Sequence, residues 1–188
     1  MNNPDHQTEA ATIGLREKIR DVARRMSCEQ EHGCLGTGEM AELRRWRLGG
    51  EISPTAWRLL TSYSDQTEES RSMEETENRW LAVLAGMALM APYPHQPGAY
   101  PGQVLAKAGY SETRFHKLLN SRDEAFFDAV NRTCRFLRAK GVAVDWIHFA
   151  TFILTQDADK AEEQRRRLAR SYFSHQPSDS DPTSNQSV

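Results

Sequence analysis

Four closely spaced prolines constrain the folding of this chain more than any other feature. Pro92, Pro94, Pro97 and Pro101 follow Ala91, and no helix can cross them, because proline lacks the backbone N–H that a helix interior requires. Hydrophobic residues recur at helical spacing on both sides, and we find no convincing strand and no internal repeat. We therefore predict an all-α fold of two small helical bundles joined by a proline-rich linker.

This division gives boundaries for the whole chain. Residues 1–11 are expected to be a disordered N-terminus, and residues 12–91 to form the N-terminal helical bundle. Residues 92–101 are the proline-rich linker and residues 102–173 the C-terminal helical bundle. The polar tail, residues 174–188, is expected to be disordered. A chain of 188 residues usually forms one or two domains of this kind.

The N-terminal half contains one helix that is apolar on nearly all sides, from about Glu77 to Met90. Such a helix belongs at the centre of its bundle. The acidic stretch Ser64–Glu77 before it is weakly periodic, so we expect a mobile loop there. Further upstream, Ser53-Pro54 predicts a helix start, and Trp57 is expected to face the core.

The C-terminal half begins with two short helices that meet at Gly109. In the second of them Phe115 and Leu118 predict a buried face, while Arg114 and Lys117 lie one turn apart on the outer side. Ser111 is positioned to cap this helix.

The next helix is expected to begin at Asp123 and to stop at Gly141, with Arg132, Arg135 and Arg138 lying outside its apolar face. Basic side chains from successive helices suit contact with phosphate groups. The charge pattern also fits a solvated helix face, since acidic residues partly neutralise it. Pattern alone leaves both interpretations open.

The charge balance restricts any nucleic-acid surface to a local patch. The chain has 24 Lys and Arg against 26 Asp and Glu, a formal net charge of −2. A protein that coats DNA generally is expected to be basic as a whole. We therefore expect a basic patch on an otherwise neutral protein.

Three cysteines, an odd number without a secretory signal, indicate reduced thiols in the cytoplasm. The longest apolar run, Trp80–Ala91, is too short to span a bilayer. Cys28, His32 and Cys34 lack the second ligand pair that a zinc site requires, so no metal is predicted. Cys134 is expected on an apolar helix face.

Motifs of catalysis are missing from the sequence. We find no phosphate-cradling glycine loop, no nucleophile elbow and no pair of carboxylates at a spacing that selects acid–base chemistry. His148 has no carboxylate partner in its polar stripe, so we interpret it as a hydrogen-bonded helix histidine. The sequence therefore predicts a protein that is not an enzyme and needs no cofactor.

Several short motifs follow one another in a fixed order. They are Ala41-Glu42-Leu43-Arg44-Arg45, Ala56-Trp57-Arg58-Leu59-Leu60, Leu105-Ala106, Gly109, Ser111-Glu112, Arg114-Phe115, Leu118-Leu119, a basic helix, Val144-Asp145-Trp146 and Arg167-Leu168-Ala169-Arg170-Ser171-Tyr172-Phe173. In order and spacing this set resembles the CasB family, the small subunit of Cascade, the type I-E CRISPR surveillance complex. No single motif is diagnostic, and the resemblance covers most of the chain between Leu35 and Phe173.

The resemblance implies a non-catalytic subunit whose partners are other Cascade subunits and a second copy of itself. It also implies contact with the guide RNA–target DNA complex, mainly the displaced single strand, in a cytoplasmic protein without a membrane. Together with the charge pattern it predicts these nucleic-acid-binding residues: Arg44, Arg45, Arg58, Arg114, Lys117, Arg122, Arg132, Arg135 and Arg138.

Two other functions remain open at this stage. The segment Val104–Phe115 has a small residue in its first helix, glycine at the turn and a capped second helix, as in a helix-turn-helix regulator of duplex DNA. The remaining helices lack an obvious dimerisation zipper. A purely architectural scaffold that contacts only protein is the other alternative.

Overall fold

The structure, a computed structural model, describes residues 4–27, 33–64 and 70–176, with side chains described from residues 14 and 73 onward in the first and third ranges. Over this part of the chain it is all-helical, which confirms the predicted fold class. The helices are α1 (Pro4–Ser27), α2 (Thr37–Arg45), α3 (Pro54–Tyr63), α4 (Ser70–Met90), α5 (Pro101–Lys107), α6 (Glu112–Asn120), α7 (Asp123–Ala139), α8 (Trp146–Leu154) and α9 (Ala158–Phe173). Residues 1–3 of the predicted disordered N-terminus and residues 177–188 of the predicted tail lie outside the described residues.

Helix α4 lies at the centre of the fold. Every residue from Trp80 to Met90 is buried, and the helix packs on α7 and α8 as well as on α1, α2 and α3. Its approach to α7 and α8 is very close at Gly86. A Cβ atom there would lie 2.6 Å from the Trp146 ring and 2.9 Å from the Cys134 sulfur. Glycine is therefore what allows these three helices to pack so closely.

The structure does not show two separate bundles. Buried residues from both halves of the chain form one hydrophobic cluster, because α4 packs most extensively on α7, a helix of the predicted C-terminal half. The reason is the all-round apolar surface of α4: helices α1 to α3 cover part of it, and α7 and α8 are needed to remove the rest from water.

The proline segment is docked against the start of α8 by backbone hydrogen bonds. The Gln96 N–H donates to the Val144 carbonyl at 2.9 Å, and the Asp145 N–H donates to the Ala99 carbonyl at 2.7 Å. Pro94 is buried. The expected linker is thus a fixed part of the packing, since these bonds satisfy backbone groups on both segments.

Two buried side chains hold the same junction. The Asp145 carboxylate accepts from the Ile147 N–H at 3.0 Å, capping α8, and from the Gly98 N–H at 2.9 Å. Nδ1 of His95 accepts from the Trp146 N–H at 3.1 Å. Because Nδ1 is an acceptor, the ring is neutral and carries its proton on Nε2.

Helix α9 closes the C-terminal half by packing against α5 and α6. A Cβ atom at Gly102 would lie 2.5 Å from the Leu168 carbonyl oxygen, so α5 and α9 approach backbone to backbone. The Tyr172 ring stacks on Phe115 of α6 with centroids 3.8 Å apart, and its hydroxyl donates to the Tyr110 carbonyl. These contacts fix the position of α6.

The start of α4 differs from the expected loop at Ser64–Glu77. The chain is helical from Ser70 onward, and residues 65–69 lie outside the described residues. Glu75 and Arg79, one turn apart, form an ion pair of 2.6 Å, and Arg79 also donates to the Ile153 carbonyl at the end of α8 at 2.6 Å. Packing and charge pairing therefore extend the helix into a polar sequence.

The expectation for Trp57 is also wrong, because this side chain is 45% exposed. The buried hydrophobic residues of α3 are Ala56, Leu59, Leu60 and Tyr63, which have the i, i+3, i+4, i+7 spacing of one helical face. Trp57 lies about 100° away from Ala56 around the helix. The capped start at Ser53 is confirmed, since its hydroxyl accepts from the Ala56 N–H at 3.2 Å.

The cysteines differ from one another. Cys134 is free and buried as expected, and burial raises the pKa of its thiol to about 12. Cys34 is disulfide-bonded, which corrects the expectation of reduced thiols; Cys28 and His32 lie outside the described residues. Within the described ranges, no group of three His, Cys, Asp or Glu residues is placed to hold a metal ion, and no helix is long and apolar enough to cross a membrane.

Replacing Gly86 by Ala should lower the free energy of unfolding by about 1–3 kcal/mol, because the added methyl group must displace the Trp146 ring and the Cys134 sulfur. Gly38→Ala in α2 is the matched control: a Cβ atom there meets nothing within 4 Å, and the change should raise stability by about 0.5–1 kcal/mol. Urea denaturation measures both. A Gly86→Ala protein as stable as the parent would contradict the close approach.

The free energy of unfolding should depend on the protonation of His95. Burial is the largest influence and lowers its pKa; the Asp145 carboxylate, 3.8 Å away, acts in the opposite sense, and Arg20 adds to the lowering. The unfolded chain therefore binds a proton first as the pH falls below about 6.5. The stability that neutral His95 contributes is fully present above a pH of about 6.5. It is lost as the pH falls from that value to the lower pKa of His95 in the folded protein.

Denaturation at a series of pH values between about 5 and 7 tests this. The free energy of unfolding should rise with pH, and His95 alone can contribute a slope of at most about 1.4 kcal/mol per pH unit. His95→Asn places an amide oxygen at the position of Nδ1, where it can accept from the Trp146 N–H, but it cannot be protonated in this range. The variant should lose that part of the slope. Equal slopes in parent and variant would show that His95 does not couple to folding.

Candidate nucleic-acid interface

A groove of about 610 Å³ runs between α6 and α7. Four of the nine residues predicted to bind nucleic acid line it together: Arg114, Lys117, Arg132 and Arg135. We call it the basic groove. All four side chains are exposed, which is the position from which they can reach a ligand.

The α6 side of the basic groove follows from the amphipathic pattern of that helix. Phe115 and Leu118 are fully buried, so Arg114 and Lys117 are turned towards solvent. Within the described part of the chain neither side chain makes a hydrogen bond or an ion pair. Ser111 is the N-cap residue of α6 as expected, although its hydroxyl makes no capping hydrogen bond.

The α7 side carries its cations in partly compensated form. Arg132 forms an exposed ion pair of 3.3 Å with Asp128, one turn earlier. Nε of Arg135 donates to the Asn131 side-chain oxygen at 2.8 Å, a neutral partner that orients the guanidinium without cancelling its charge. Exposed pairs of the Arg132–Asp128 kind are weak. Both arginines therefore remain available to an external anion.

Two aromatic residues that the sequence interpretation missed also line the groove. Tyr110 is buried, shares a hydrogen bond of 2.9 Å with the Thr133 hydroxyl, and packs edge-on against Phe136. Burial raises the pKa of Tyr110, and the charge of Arg114 opposes that rise. The i+4 spacing from Arg132 to Phe136 is the sequence signal that places Phe136 in the groove.

The charge of the basic groove is strongly one-sided. Four basic side chains and a single carboxylate, Asp128, stand among its described lining residues. A concave surface with an excess of one sign raises the local concentration of oppositely charged ligands. The groove is thus suited to a polyanion such as a nucleic-acid backbone, which the net charge of −2 for the whole chain does not suggest.

Arg122 lies outside the basic groove. It lines a separate cavity of about 650 Å³ whose charged lining is mixed, with two further arginines and four carboxylates: Arg79, Arg165, Glu74, Glu75, Glu77 and Asp123. Its guanidinium donates to the Ser121 carbonyl at 2.9 Å, close to the end of α6. Four carboxylates offset the arginines in this cavity, and Arg122 is separated from the four cations of the basic groove.

Arg44 has a structural task in addition to its charge. It is half-buried, and its Nε donates to the Ala88 carbonyl in the last turn of α4 at 2.8 Å. Burial, and after it the nearby charge of Arg138, lower the pKa of Arg44. Arg138 itself is exposed at the edge of another groove, lined in part by Pro92 and Lys107. These two arginines are close to each other and apart from the basic groove.

The remaining two predicted residues lie on α2 and α3. Arg45 is exposed, and its Nε donates to the Ala41 carbonyl of its own helix at 3.0 Å. Arg58 is exposed too, but it forms an ion pair with Glu39 at 2.5 Å and donates to the Thr55 hydroxyl. The predicted set therefore divides into one group of four and several separate arginines.

His148 does have a carboxylate neighbour, which corrects the sequence interpretation. Its Nε2 lies 3.9 Å from Oδ2 of Asp145, the residue one turn earlier that caps α8. That carboxylate is buried and already accepts backbone hydrogen bonds from Gly98 and Ile147. The spacing i, i+3 on the sequence is the signal that was overlooked.

The comparisons with known proteins agree on one family. The sequence profile described as CRISPR-associated protein Cse2 matches residues 39–173, more than two thirds of the chain. No curated protein sequence matches it.

Two solved structures are similar to this fold. CasB from Thermobifida fusca superposes with a TM-score of 0.66 and 16% identity, over 87% of this chain and 97% of that one. A chain of E. coli Cascade bound to a PAM-containing double-stranded DNA target superposes with a TM-score of 0.60 and 17% identity, over 81% of this chain and 95% of that one. At these identities the similarity establishes a shared fold.

Arg44 and Arg45 should differ in their effect on stability. Arg44→Ala removes the hydrogen bond to the Ala88 carbonyl and should lower the free energy of unfolding by about 1–2 kcal/mol. Arg45→Ala, the neighbouring exposed control, should change it by no more than about 0.5 kcal/mol. Thermal denaturation of both variants measures the difference. Equal melting temperatures for the two would show that Arg44 does not fasten α2 to α4.

Proposed function

Since this chain belongs to the CRISPR-associated Cse2 (CasB) family, the small subunit of type I-E Cascade, we propose that its basic groove binds the backbone of the displaced DNA strand when the guide RNA pairs with its target. The subunit would thereby stabilise the R-loop without catalysing a reaction. Its proposed partners are other Cascade subunits, a second copy of itself and the guide RNA–target DNA complex.

The observation that carries this proposal is the convergence of Arg114, Lys117, Arg132 and Arg135 on one surface. The backbone of a single strand is a row of negative charges, and each cation that contacts a phosphate releases a condensed counterion. Helix α6 is held by the packing of Phe115 on Tyr172, and α7 is held by its packing on α4. Both helices therefore present their cations at fixed positions. Little ordering is then needed on binding.

Modest affinity is sufficient for this role. The RNA–DNA heteroduplex is about as stable as the DNA duplex that it replaces, so R-loop formation is close to energetic balance. Contacts to the displaced backbone shift such a balance even if each is weak. They must also be independent of base sequence, since the guide RNA, not this subunit, selects the target.

Large apolar side chains at the surface are the observation that supports the proposed protein partners. Trp57 is 45%, Tyr93 76% and Phe173 56% exposed, on α3, on the proline segment and at the end of α9. Aromatic residues are enriched in the centres of protein interfaces. We propose that the surfaces around them contact neighbouring Cascade subunits or the second copy.

Neutralising the basic groove tests the proposal. The variant Arg114→Ala, Lys117→Ala, Arg132→Ala, Arg135→Ala should melt at nearly the temperature of the parent, because exposed charges contribute little to folding. Its affinity for single-stranded DNA, measured across a salt series, should fall alike for all sequences. The log–log salt dependence should become shallower by about 0.7 for each lost phosphate contact.

Two controls make the result specific. Removing four exposed cations elsewhere, Arg16, Arg47, Lys160 and Arg166, changes the net charge equally and should have a much smaller effect. Asp128→Asn removes the carboxylate of the groove and should tighten binding and steepen the salt dependence.

If the groove variant binds like the parent at every salt concentration, the proposal is wrong. Loss of discrimination at particular bases of a duplex would instead support a helix-turn-helix regulator.

A further inference from the structure

A smaller pocket of about 350 Å³ lies where the start of α5 meets α8 and α9. Tyr100, His148, Phe152, Arg167 and Arg170 are among the residues that line it, and we call it the Tyr100 pocket. It shares no lining residue with the basic groove. Its volume is at the lower end of the range of small-ligand sites, about 300–1,000 Å³.

The wall of the Tyr100 pocket is a pair of half-exposed rings. Tyr100 is 49% exposed and the His148 side chain is 49% exposed. Their centroids are 4.7 Å apart and their planes are inclined by 41°. Phe152 and Leu168, both buried, provide apolar surface behind them. Because the two planes are inclined, they do not form one flat platform, but the exposed part of Tyr100 offers a surface on which a further ring can stack beside His148.

The charge at this pocket is positive. Arg167 forms an exposed ion pair of 2.6 Å with Glu163 on the preceding turn of α9. Arg170 makes no side-chain hydrogen bond or ion pair within the described part of the chain. No carboxylate is present among the described lining residues. The pocket therefore combines an aromatic platform with a cation that has no anionic partner.

This combination selects one class of ligand over its rivals. An aromatic side chain of a protein partner would use the platform but would leave Arg170 without an anion. An acidic peptide would pair with the arginine but would leave the rings exposed. A nucleotide of a single strand supplies both a flat base and a phosphate, and stacking of bases on aromatic side chains tolerates any sequence.

We infer that the Tyr100 pocket takes one unpaired base of a single-stranded nucleic acid, with the base stacked on Tyr100 beside His148 and its phosphate at Arg170. This inference rests on the proposed function only in that the chain meets single-stranded nucleic acid. It adds a base contact, on a different surface, to the backbone contact of the basic groove.

The experiment compares a short thymidine homopolymer with an abasic strand of the same length, which keeps every phosphate. The full-length parent should bind the thymidine strand more tightly, by roughly tenfold for one stacked base. Tyr100→Ala and His148→Ala should each reduce this preference while leaving the affinity for the abasic strand nearly unchanged. Tyr93→Ala, which removes an exposed tyrosine outside the pocket, should change neither. Melting temperatures confirm that each variant is folded.

A second readout uses the unmodified protein. A strand carrying 5-iodouracil, irradiated in complex with the parent, should crosslink to Tyr100 or His148, as mapped by peptide mass spectrometry. Crosslinks confined to other residues would overturn the inference, as would equal binding of the two strands by the parent. Unchanged DNA binding together with impaired Cascade assembly in Tyr100→Ala would assign the pocket to a protein partner instead.

The two proposals fail separately. If the parent binds both strands equally and the basic-groove variant weakens both, the groove proposal stands and the pocket inference is wrong. If the basic-groove variant binds both strands as the parent does and Tyr100→Ala loses the base preference, the pocket stands and the groove proposal is wrong. If the parent binds neither strand, both are wrong.

Discussion

Helix α4 reaches its neighbours at such short distances only because residue 86 is glycine. At that position the Trp146 ring and the Cys134 sulfur occupy the space that any side chain would need. Helices α7 and α8 therefore pack directly on the α4 backbone. Together with the cover that α1 to α3 provide, this contact buries the whole stretch from Trp80 to Met90 and gives one core shared by both halves of the chain. The same contact places Val144–Trp146 where the proline segment can dock on it.

The basic groove is a consequence of that packing, not an independent feature. Helix α7 turns Cys134 and Val130 towards α4, and this leaves Arg132 and Arg135 on the opposite side. Helix α6 is fixed by Phe115 against Tyr172, which leaves Arg114 and Lys117 outside. Because the two helices lie side by side, their outer faces meet. The groove therefore gains a concentrated positive charge in a protein of net charge −2 without any specialised loop.

Local features could be predicted from the sequence, and long-range ones could not. The cap at Ser53 and the start of α7 at Asp123 depend on neighbouring residues alone. By contrast, the docking of the proline segment depends on hydrogen bonds between residues some fifty positions apart, such as Gln96 and Val144. The shared core could not be predicted for the same reason. The residue type of Trp57 favours the core, whereas the helical positions of Ala56 and Leu60 decide which face of α3 is buried. The sequence shows basic residues on successive helices. That they line one groove depends on how α6 and α7 pack, which the sequence pattern does not reveal.

The most direct test of the proposed function is the identity of the molecule that lies against the basic groove during target binding. A photo-crosslinking amino acid at Lys117, in Cascade reconstituted with its other subunits and a matched target duplex, reports this. We expect crosslinks to the displaced DNA strand that appear only when the guide RNA has paired with its target. The same group at Thr61, an exposed residue of α3, should not give them. Crosslinks from Lys117 only to protein or to the guide-paired strand would contradict the proposed function.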